Sequence, residues 1–580
     1  MFRGALVGVD YPNAITDQQE ARHGSSEMME FFQDAPSLGN QYESDDMLRS
    51  YLRYRLPAKM RAEIEPELHR LGHRAATDIL ALGEEAEKDP PRHVPYDGWG
   101  RRVDRIETSD AWRELDRISA AEGIIATAYE RSHGAFSRID QFARLYLFAP
   151  SSALYSCPLA MTDGAARFLE VHGDDATRTT FDHLVSRDPG EFWTSGQWMT
   201  ERSGGSDVGT TSTIARFESG NEYRLSGSKW FTSATTSQVA MTLARIEGGP
   251  SGGAGLSVFL IALRDSGGML RNIRVDRLKD KLGTRALPTA ELTLDGTPAR
   301  LVGGAGDGIR KIATLFNITR IYNAVAAVAG MRRGIALATD YSRRRVAFGK
   351  RLIEHPLHLE TLAELQLEFR AAFLLAFRVV ELLGKEESGD ATEEELQLLR
   401  LLIPIAKLYT AKQAIAVASE VLEAFGGAGY VEDTGIPRLL RDAQVLSIWE
   451  GTTNILSLDA LRAIGRTNAL ETWVKTSAKR LDSIRGTPVS EVDRLRAAVR
   501  TIDVYARNAG AAGADSQQGG ARGLAYSIAR TEAAVLLFEH AMAGQDAGAR
   551  TAASRWSGRE LTPLIDGSTA HREGSRALMD

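Results

Sequence analysis

The sequence predicts an α+β protein in which a helical segment, a β-rich segment and two further helical segments follow one another. Apolar residues recur at helical spacing over 46–190, whereas between 191 and 304 they form short alternating runs separated by glycine and polar turns. The helical period returns after about 305. A length of 580 residues, at about 150 residues per domain, agrees with several domains rather than one.

The first two segments differ in composition. Residues 1–45 are polar and rich in Gln, Ser, Asp and Asn, which is typical of a flexible lead-in. Over 46–190, residues such as Ile64, Leu68 and Leu71 lie at helical spacing. This segment is therefore predicted to be an all-helical N-terminal domain.

The middle segment, 191–304, predicts a β domain. Apolar or alternating runs occupy 223–231, 256–263 and 290–294. The glycines at 248–253 are typical of a connecting loop.

Two helical segments follow the predicted β domain. Residues 305–466 contain amphipathic stretches that are long enough to form a helix bundle, and these lie at 310–345, 355–385 and 393–425. Residues 467–580 predict an additional helical domain, interrupted by a flexible Gly-Ala-Ser-Gln stretch from 510 to 520. This last segment carries 15 Lys and Arg against 13 Asp and Glu.

Composition excludes several classes of protein. The chain is 43% hydrophobic and 25% charged with a net charge of −6, which is typical of a globular protein without a general attraction for polyanions. The single Cys157 excludes an internal disulfide and multi-cysteine metal sites, and no other metal site is predicted. No dinucleotide or phosphate-loop fingerprint, signal peptide or long apolar span is found, so we expect a cytoplasmic protein without a membrane span.

Four segments carry patterns that suit a flat, polar ligand. The first contains a Gly-Gly turn with hydroxyl and backbone donors, and the second contains a Trp-Phe pair that can stack on a ring. Taken singly, each segment can be explained without a ligand: as a turn, as an aromatic pair in the core, as a helix cap or as an exposed acidic residue. The order and spacing of all four segments together favour a shared function. The four segments are 197–208, 227–233, 343–350 and 425–454.

Together these segments resemble the acyl-CoA dehydrogenase flavoproteins over about 150–466. The resemblance rests on the Met-Thr-Glu loop with Gly-Gly-Ser-Asp, the Arg-x-x-Phe-Gly-Lys box, the Phe-Gly-Gly-x-Gly-Tyr box and the Trp-Glu-Gly-Thr-x-Asn box. The Trp-Glu-Gly form, Pro356 and the long C-terminal extension are similar to the AidB branch, which is linked to the alkylation response. The resemblance implies an N-terminal helical domain, a middle β-barrel or sandwich, a C-terminal four-helix bundle and an extra C-terminal helical domain.

The resemblance also implies FAD, an acyl-CoA or related acyl ligand, and a homo-oligomer, usually a tetramer. In the β-rich segment the implied cofactor contacts are Gln197, Met199 and Thr200 at the pyrimidine edge of the flavin, Ser206, Trp230 packed on the isoalloxazine with Phe231 beside it, and Thr232 near N5. Arg345, Phe348, Gly426 and Gly427 are implied to reach the FAD of a neighbouring subunit, and Thr452 and Asn454 are a further contacting pair.

Glu450 resembles the base of the family, which removes the α-proton of the acyl thioester while a hydride passes to flavin N5. We expect Leu446, Ile448 and Trp449 to form apolar walls that strengthen it as a base. Arg320 is implied to be a positively charged neighbour, and its predecessor Thr319 cannot replace the carboxylate. The catalytic pair expected from the sequence is therefore Glu450 and Arg320.

Departures from the family pattern leave alternatives open. Gln197 and Trp198, and Trp449 before the glutamate, alter bulk and polarity near the flavin, so we expect poor turnover of ordinary fatty acyl-CoAs. An oxidase that reoxidises its flavin with oxygen is one variant. Another is an AidB-like flavoprotein that binds and protects DNA, although the charge of 467–580 gives that idea weak support. A protein that sequesters an acyl ligand with little turnover is a third.

Overall fold

The computed structural model describes residues 34–544 and 547–580, of which 36–580 form one compact unit. The predicted succession of helical, β-rich and helical parts is confirmed. The first part contains helices α1 (Asp46–Arg55), α2 (Ala58–Arg74), α3 (Asp78–Lys88), α4 (Asp110–Ala121), α5 (Ala126–Glu130), α6 (Ser137–Phe148), α7 (Ser156–His172) and α8 (Arg178–Leu184).

The expectation of an all-helical first part is wrong, because a hairpin separates α3 from α4. Its strands are β1 (Arg92–Tyr96) and β2 (Arg102–Glu107), which pair antiparallel. The hairpin is tied to the middle of the chain, since the Arg102 guanidinium donates to the carbonyl of Val275 at 2.8 Å.

The predicted flexible lead-in falls mostly on residues 1–33, which lie outside the described residues, but its last part is wrong. Gln41, Tyr42 and Asp45 are buried. The Asp45 carboxylate accepts from the backbone N–H of Leu48 and so caps α1, and it also accepts from the Tyr146 hydroxyl at 2.6 Å. Polar residues therefore fix the start of the fold here.

The middle part is a seven-stranded sheet that closes on itself. Its strands are β3 (Ser195–Trp198), β4 (Ile214–Ser219), β5 (Glu222–Ser233), β6 (Val239–Ile246), β7 (Leu256–Ala262), β8 (Ile273–Leu278) and β9 (Thr289–Val302). The strand order is β3-β6-β4-β5-β9-β7, with β8 paired to β9, and β7 pairs with β6 as well as with β9. This closure makes the middle part a small barrel.

Three long helices form the centre of the bundle. They are α9 (Gly308–Arg344), α10 (Pro356–Ser388) and α11 (Glu393–Ala424), which agree with the predicted stretches within a few residues. The short strands β10 (Val346–Ala347) and β11 (Lys350–Arg351) follow α9, and α12 (Ile436–Leu446) and α13 (Thr453–Arg466) complete the bundle. Among the described residues, α9 and α11 have the length and composition of a membrane span, but most of the residues in their apolar stretches are buried within the structure.

The last part packs on the bundle through α14 (Ala469–Ser483), α15 (Val489–Ala511), α16 (Ala514–Ala543), α17 (Ala547–Ser557) and α18 (Thr569–Ala577). The predicted flexible stretch at 510–520 is wrong, because most of it is the first turns of α16. Gly520 lies against Tyr505, and a Cβ at this position would collide with the Tyr505 hydroxyl. Close packing rather than flexibility accounts for this glycine.

Candidate active site

A cavity of about 1270 Å3 lies where the barrel meets the bundle. Its walls come from β3 and the loop after it, the end of β5, the segment between β8 and β9, the N-terminal half of α9 and the turn between α12 and α13. The cavity brings together most of the site residues predicted from the sequence: Gln197, Met199, Thr200, Ser206, Phe231, Thr232, Arg320, Glu450 and Thr452.

The Glu450 carboxylate projects from the turn between α12 and α13 and is held by two side chains. Thr319, on α9, donates its hydroxyl to Oε2 at 2.8 Å. Gln197, at the end of the barrel, places its amide nitrogen 3.3 Å from both carboxylate oxygens. The sequence had excluded Thr319 as a base, and it did not identify Thr319 as a partner of the base.

The expected apolar enclosure of Glu450 is only partly correct. Ile448 and Trp449 line the cavity, but Leu446 packs in the hydrophobic core, and the groups that contact the carboxylate are polar. Trp449 is itself fixed, since its indole N–H donates to the Asn323 side-chain oxygen. Hydrogen bonds, rather than apolar walls, therefore set the direction of the carboxylate.

Arg320 belongs to an ion-pair cluster at the cavity wall and has only 14% of its side chain exposed, so it is not a surface arginine. Its guanidinium lies 2.8 Å from the Asp459 carboxylate, which also pairs with Arg400 at 2.8 Å. The Nε of Arg320 lies 3.4 Å from the backbone carbonyl oxygen of Glu450. Arg320 thus contacts the main chain of the candidate base rather than its carboxylate.

The end of β5 presents two of its three predicted cofactor residues to the cavity. Phe231 and Thr232 line the cavity, whereas Trp230 does not and instead lies beside Lys279 and Arg202, with the Lys279 ammonium 3.6 Å from its ring centroid. Phe231 has a positive φ of 62°, and the β5–β9 register shifts between Lys229 and Thr232. This irregularity changes which aromatic ring of the pair faces the cavity. The Thr232 hydroxyl already donates to the Ala290 carbonyl at 2.8 Å.

The remaining predicted cofactor residues lie away from this cavity. Phe348 is 93% exposed, and a Cβ placed on Gly426 or Gly427 would meet nothing within 4 Å. Arg345 follows α9, and Asn454 is exposed in the first turn of α13. Within one chain these residues do not join the cavity. The contacts predicted for the first four with the FAD of a neighbouring subunit stay predictions, and so does the FAD contact predicted for Asn454.

A buried ion pair behind the cavity was missed in the sequence. Glu201 and Lys229 lie 2.9 Å apart with both side chains almost fully buried. Burial alone would raise the pKa of Glu201, but Lys229 and hydrogen bonds from Ser212 and Thr213 outweigh it and lower that pKa to about 2. The pair thereby anchors the loop after β3, of which Thr200 and Ser206 line the cavity.

The segment between β8 and β9 is held by two further buried groups. Lys281 donates to the carbonyls of Thr284 and Leu287 at 2.6 and 2.7 Å, and its burial lowers its pKa to about 8. Asp442, on α12, accepts from the Thr284 backbone N–H at 2.6 Å. Burial and, secondly, the nearby Glu87 raise the pKa of Asp442 to about 6.

Asp442→Asn should change the pH dependence of stability. The pKa of Asp442 is raised in the folded protein, so its carboxyl group loses its proton at lower pH in the unfolded chain than in the folded one. The free energy of unfolding of the wild type therefore falls by roughly 3 kcal/mol as pH rises from about 4 to above 6. The uncharged amide removes this loss. Urea unfolding at pH 4.5 and pH 7 should therefore show that the gain from Asp442→Asn is larger at pH 7, whereas the exposed control Asp433→Asn has no such trend. An equal effect at both pH values would contradict the assignment.

Four family models together match almost the whole described chain. The acyl-CoA dehydrogenase middle domain matches 196–297 and its C-terminal domain matches 306–465. The adaptive response protein AidB N-terminal domain matches 34–188, and the acyl-CoA dehydrogenase 11 C-terminal domain-like family matches 468–580.

Similar proteins extend this result. Acyl-CoA dehydrogenase family member 11 of Caenorhabditis elegans is 43% identical over 550 residues, which is 91% of this chain and 88% of that protein. The solved structure of Caenorhabditis elegans ACDH-11 in complex with C11-CoA has a TM-score of 0.93 at 40% identity and covers 96% of this chain and 98% of its own. The putative acyl-CoA dehydrogenase AidB of Escherichia coli (strain K12) is 34% identical over 399 residues, 67% of this chain and 72% of its own.

A structure of acyl-CoA dehydrogenase from Bacillus anthracis complexed with FAD shares the fold, with a TM-score of 0.69 at 17% identity over 94% of this chain and 93% of its own. The predicted fold class is therefore confirmed by family models and by solved structures. This chain belongs to the acyl-CoA dehydrogenase family, in its AidB-like branch.

Proposed function

We propose that Glu450 is the base with which this acyl-CoA dehydrogenase-like oxidoreductase removes the α-proton of an acyl thioester. The observation that carries the proposal is the Glu450 carboxylate, which lines the cavity and is held by Thr319 and Gln197. An α-proton of a thioester is too weakly acidic for water to remove at a useful rate, so the reaction needs a positioned carboxylate.

FAD is the cofactor of the family, and the cavity of this chain fits it. The volume of about 1270 Å3 exceeds the roughly 300–1,000 Å3 of a typical small-ligand pocket. The Gln197 side-chain oxygen is buried at its wall with no hydrogen-bond partner in the described structure. A ligand that presents a donor at this edge would satisfy it.

The predicted cofactor residues that line the cavity are those that would hold FAD: Gln197, Met199, Thr200, Ser206, Phe231, Thr232 and Thr452. When bound, FAD supplies the acceptor for the β-hydride, which no protein side chain can accept. Glu450 receives the α-proton, and the Thr319 hydroxyl keeps Oε2 in place while this proton is removed. The proton and hydride together account for the two hydrogens lost from the Cα–Cβ bond.

The rest of the cavity supports an acyl-CoA as the substrate. Arg310, Arg462 and Arg466 line it, and guanidinium groups suit the phosphates of a nucleotide. Ala160 and Met161 provide an apolar wall for an acyl chain. Since the Caenorhabditis elegans relative was solved with C11-CoA, that ligand is the first to test.

Anaerobic titration of the FAD-loaded protein with saturated acyl-CoAs of different length tests the proposal. We expect loss of the oxidised flavin absorbance with at least one of them and formation of the matching enoyl-CoA. Tight binding of every acyl-CoA without flavin reduction would favour ligand sequestration instead. Reoxidation by oxygen after reduction would distinguish an oxidase from a dehydrogenase.

Thr319→Val should slow flavin reduction by about 10-fold or more. The change keeps the side-chain shape and removes the 2.8 Å hydrogen bond to Glu450, and hydrogen bonds to charged groups contribute about 1.5–3 kcal/mol. Stopped-flow absorbance measures this rate. Thr361→Val, on the outer surface of α10, is the matched control, and equal rates for both variants would show that Thr319 does not orient the base.

We infer that the protein is a homo-oligomer, and the family resemblance implies a tetramer. Phe348, Leu357 and Tyr430 are 93%, 82% and 89% exposed, and apolar side chains of this size favour burial against another copy. Light scattering during gel filtration gives the mass directly. Phe348→Ser is expected to shift it towards the monomer if these side chains form the interface.

DNA binding has less support than dehydrogenation. The arginines of α15 that a phosphate backbone would contact include Arg496, which is already paired with Asp493 and Asp482. Retention of duplex DNA that weakens steeply with salt would favour this second role.

A further inference from the structure

The turn that carries Glu450 has an unfavourable backbone conformation. Glu450 has a φ of 56° and Gly451 a φ of 107°, in the left-handed region that residues with a Cβ seldom adopt. Such a conformation persists only where neighbouring groups enforce it. The enforcing groups are visible in the contacts of the three successive backbone carbonyls of this turn.

Two basic side chains contact these three carbonyls. Lys407, in the middle of α11, donates from Nζ to the carbonyl of Trp449 at 2.7 Å and to the carbonyl of Gly451 at 2.7 Å. The Glu450 carbonyl between them lies 3.4 Å from Nε of Arg320. The Lys407 ammonium group therefore binds the backbone carbonyls on both sides of Glu450, the residue with the unfavourable φ.

The environment of Lys407 is costly for a charged group. Its side chain is fully buried, and no carboxylate of the described chain lies within ion-pair distance of Nζ. Burial lowers its pKa to about 7. An aliphatic side chain would pack in this helix at lower cost, so the contacts to the turn give the reason for a lysine here.

We propose that Lys407 is a positioning residue that keeps the Glu450 carboxylate in its reactive direction by holding the carbonyls of Trp449 and Gly451. The proposal rests on the role of Glu450 as base. Lys407 does not itself contact the acyl group, since it does not line the cavity. Without it, the turn can relax to a right-handed backbone and carry the carboxylate away from the α-carbon, and a displacement of 1 Å can cost about 10²-fold in rate.

Lys407→Met tests this directly in the FAD-loaded protein. We expect anaerobic flavin reduction by the best acyl-CoA of the panel to slow by about 10- to 100-fold, whereas the half-saturating acyl-CoA concentration and the FAD content change less than threefold. Lys412→Met makes the same change five residues further along α11 and should leave the rate within twofold of wild type.

A double-variant cycle separates positioning from a general structural role. If Lys407 acts only through the base, Lys407→Met should change the residual rate of Glu450→Gln by less than twofold. Equal losses in both backgrounds would overturn the proposal, as would a folded, FAD-loaded Lys407→Met protein with the wild-type rate.

Lys407→Gln is the replacement variant if Lys407→Met does not retain FAD. The glutamine amide can still donate to one carbonyl, so we expect Lys407→Gln to reduce its flavin at an intermediate rate. A wild-type rate in Lys407→Gln would likewise overturn the proposal.

Failure of the proposed function looks different. In that case no acyl-CoA of the panel reduces the flavin of the wild-type protein, or Glu450→Gln retains the wild-type rate. Failure of the Lys407 proposal instead leaves wild type active and Glu450→Gln inactive.

Discussion

Replacing Glu450 by Gln is expected to reduce the rate of flavin reduction by an acyl-CoA roughly 10²–10⁴-fold, the range supplied by a positioned general base. The amide keeps the size of the side chain and can still accept from the Thr319 hydroxyl, but it cannot take a proton. FAD content and acyl-CoA affinity should stay near wild type. Stopped-flow absorbance after anaerobic mixing measures the rate.

The control for this change is Glu423→Gln, an exposed glutamate at the end of α11 that lies away from the cavity. Glu423→Gln should behave as wild type. If Glu450→Gln also reduces its flavin at the wild-type rate, Glu450 is not the base.

Lys229→Met is expected to lower the free energy of unfolding by about 3–5 kcal/mol and to release FAD. Removing one partner leaves the Glu201 carboxylate buried without its cation, and breaking a buried pair costs about this much. Glu201 also organises the loop after β3 through Ser212 and Thr213, so its displacement disturbs the cavity wall at Thr200. Urea unfolding gives the stability, and filtration of the yellow protein gives the retained FAD.

The exposed pair Arg178–Asp182 provides the contrast, since Asp182→Asn removes an ion pair of similar geometry at the surface and should cost less than about 1 kcal/mol. The free energy of unfolding at low pH provides a second test of this pair. The folded pKa of Glu201 is depressed to about 2, so its contribution is present above about pH 4.5 and is lost as pH falls towards 2. Equal stability losses for Lys229→Met and Asp182→Asn would contradict the importance of the buried pair.

The sequence predicted the long bundle helices well because amphipathic periodicity over thirty residues is a strong local signal. It failed for the β1–β2 hairpin, whose short strands carry Arg92, Arg102 and Arg105 and bury little apolar surface. An Asp97-Gly98 pair at the turn was the signal that could have revealed it.

The site was predictable as a set of motifs but not as a set of contacts. Glu450 stands in a recognisable box, whereas Thr319 and Lys407 reach it from 131 and 43 positions away through the packing of α9 and α11. The identity of the ring that faces the cavity depended on a positive φ at Phe231, which the sequence of an ordinary strand does not reveal.

Closure of the barrel has a consequence for aggregation. Because β7 pairs with both β6 and β9, only β3 and β8 are left with a single partner strand. Both strands are covered within the chain: the Ser195 backbone N–H of β3 donates to the Thr162 hydroxyl on α7 at 2.9 Å, and the Asp104 carboxylate of the β1–β2 hairpin accepts from the Val275 backbone N–H of β8 at 3.2 Å. The barrel therefore offers little unpaired strand edge on which a second molecule could extend the sheet.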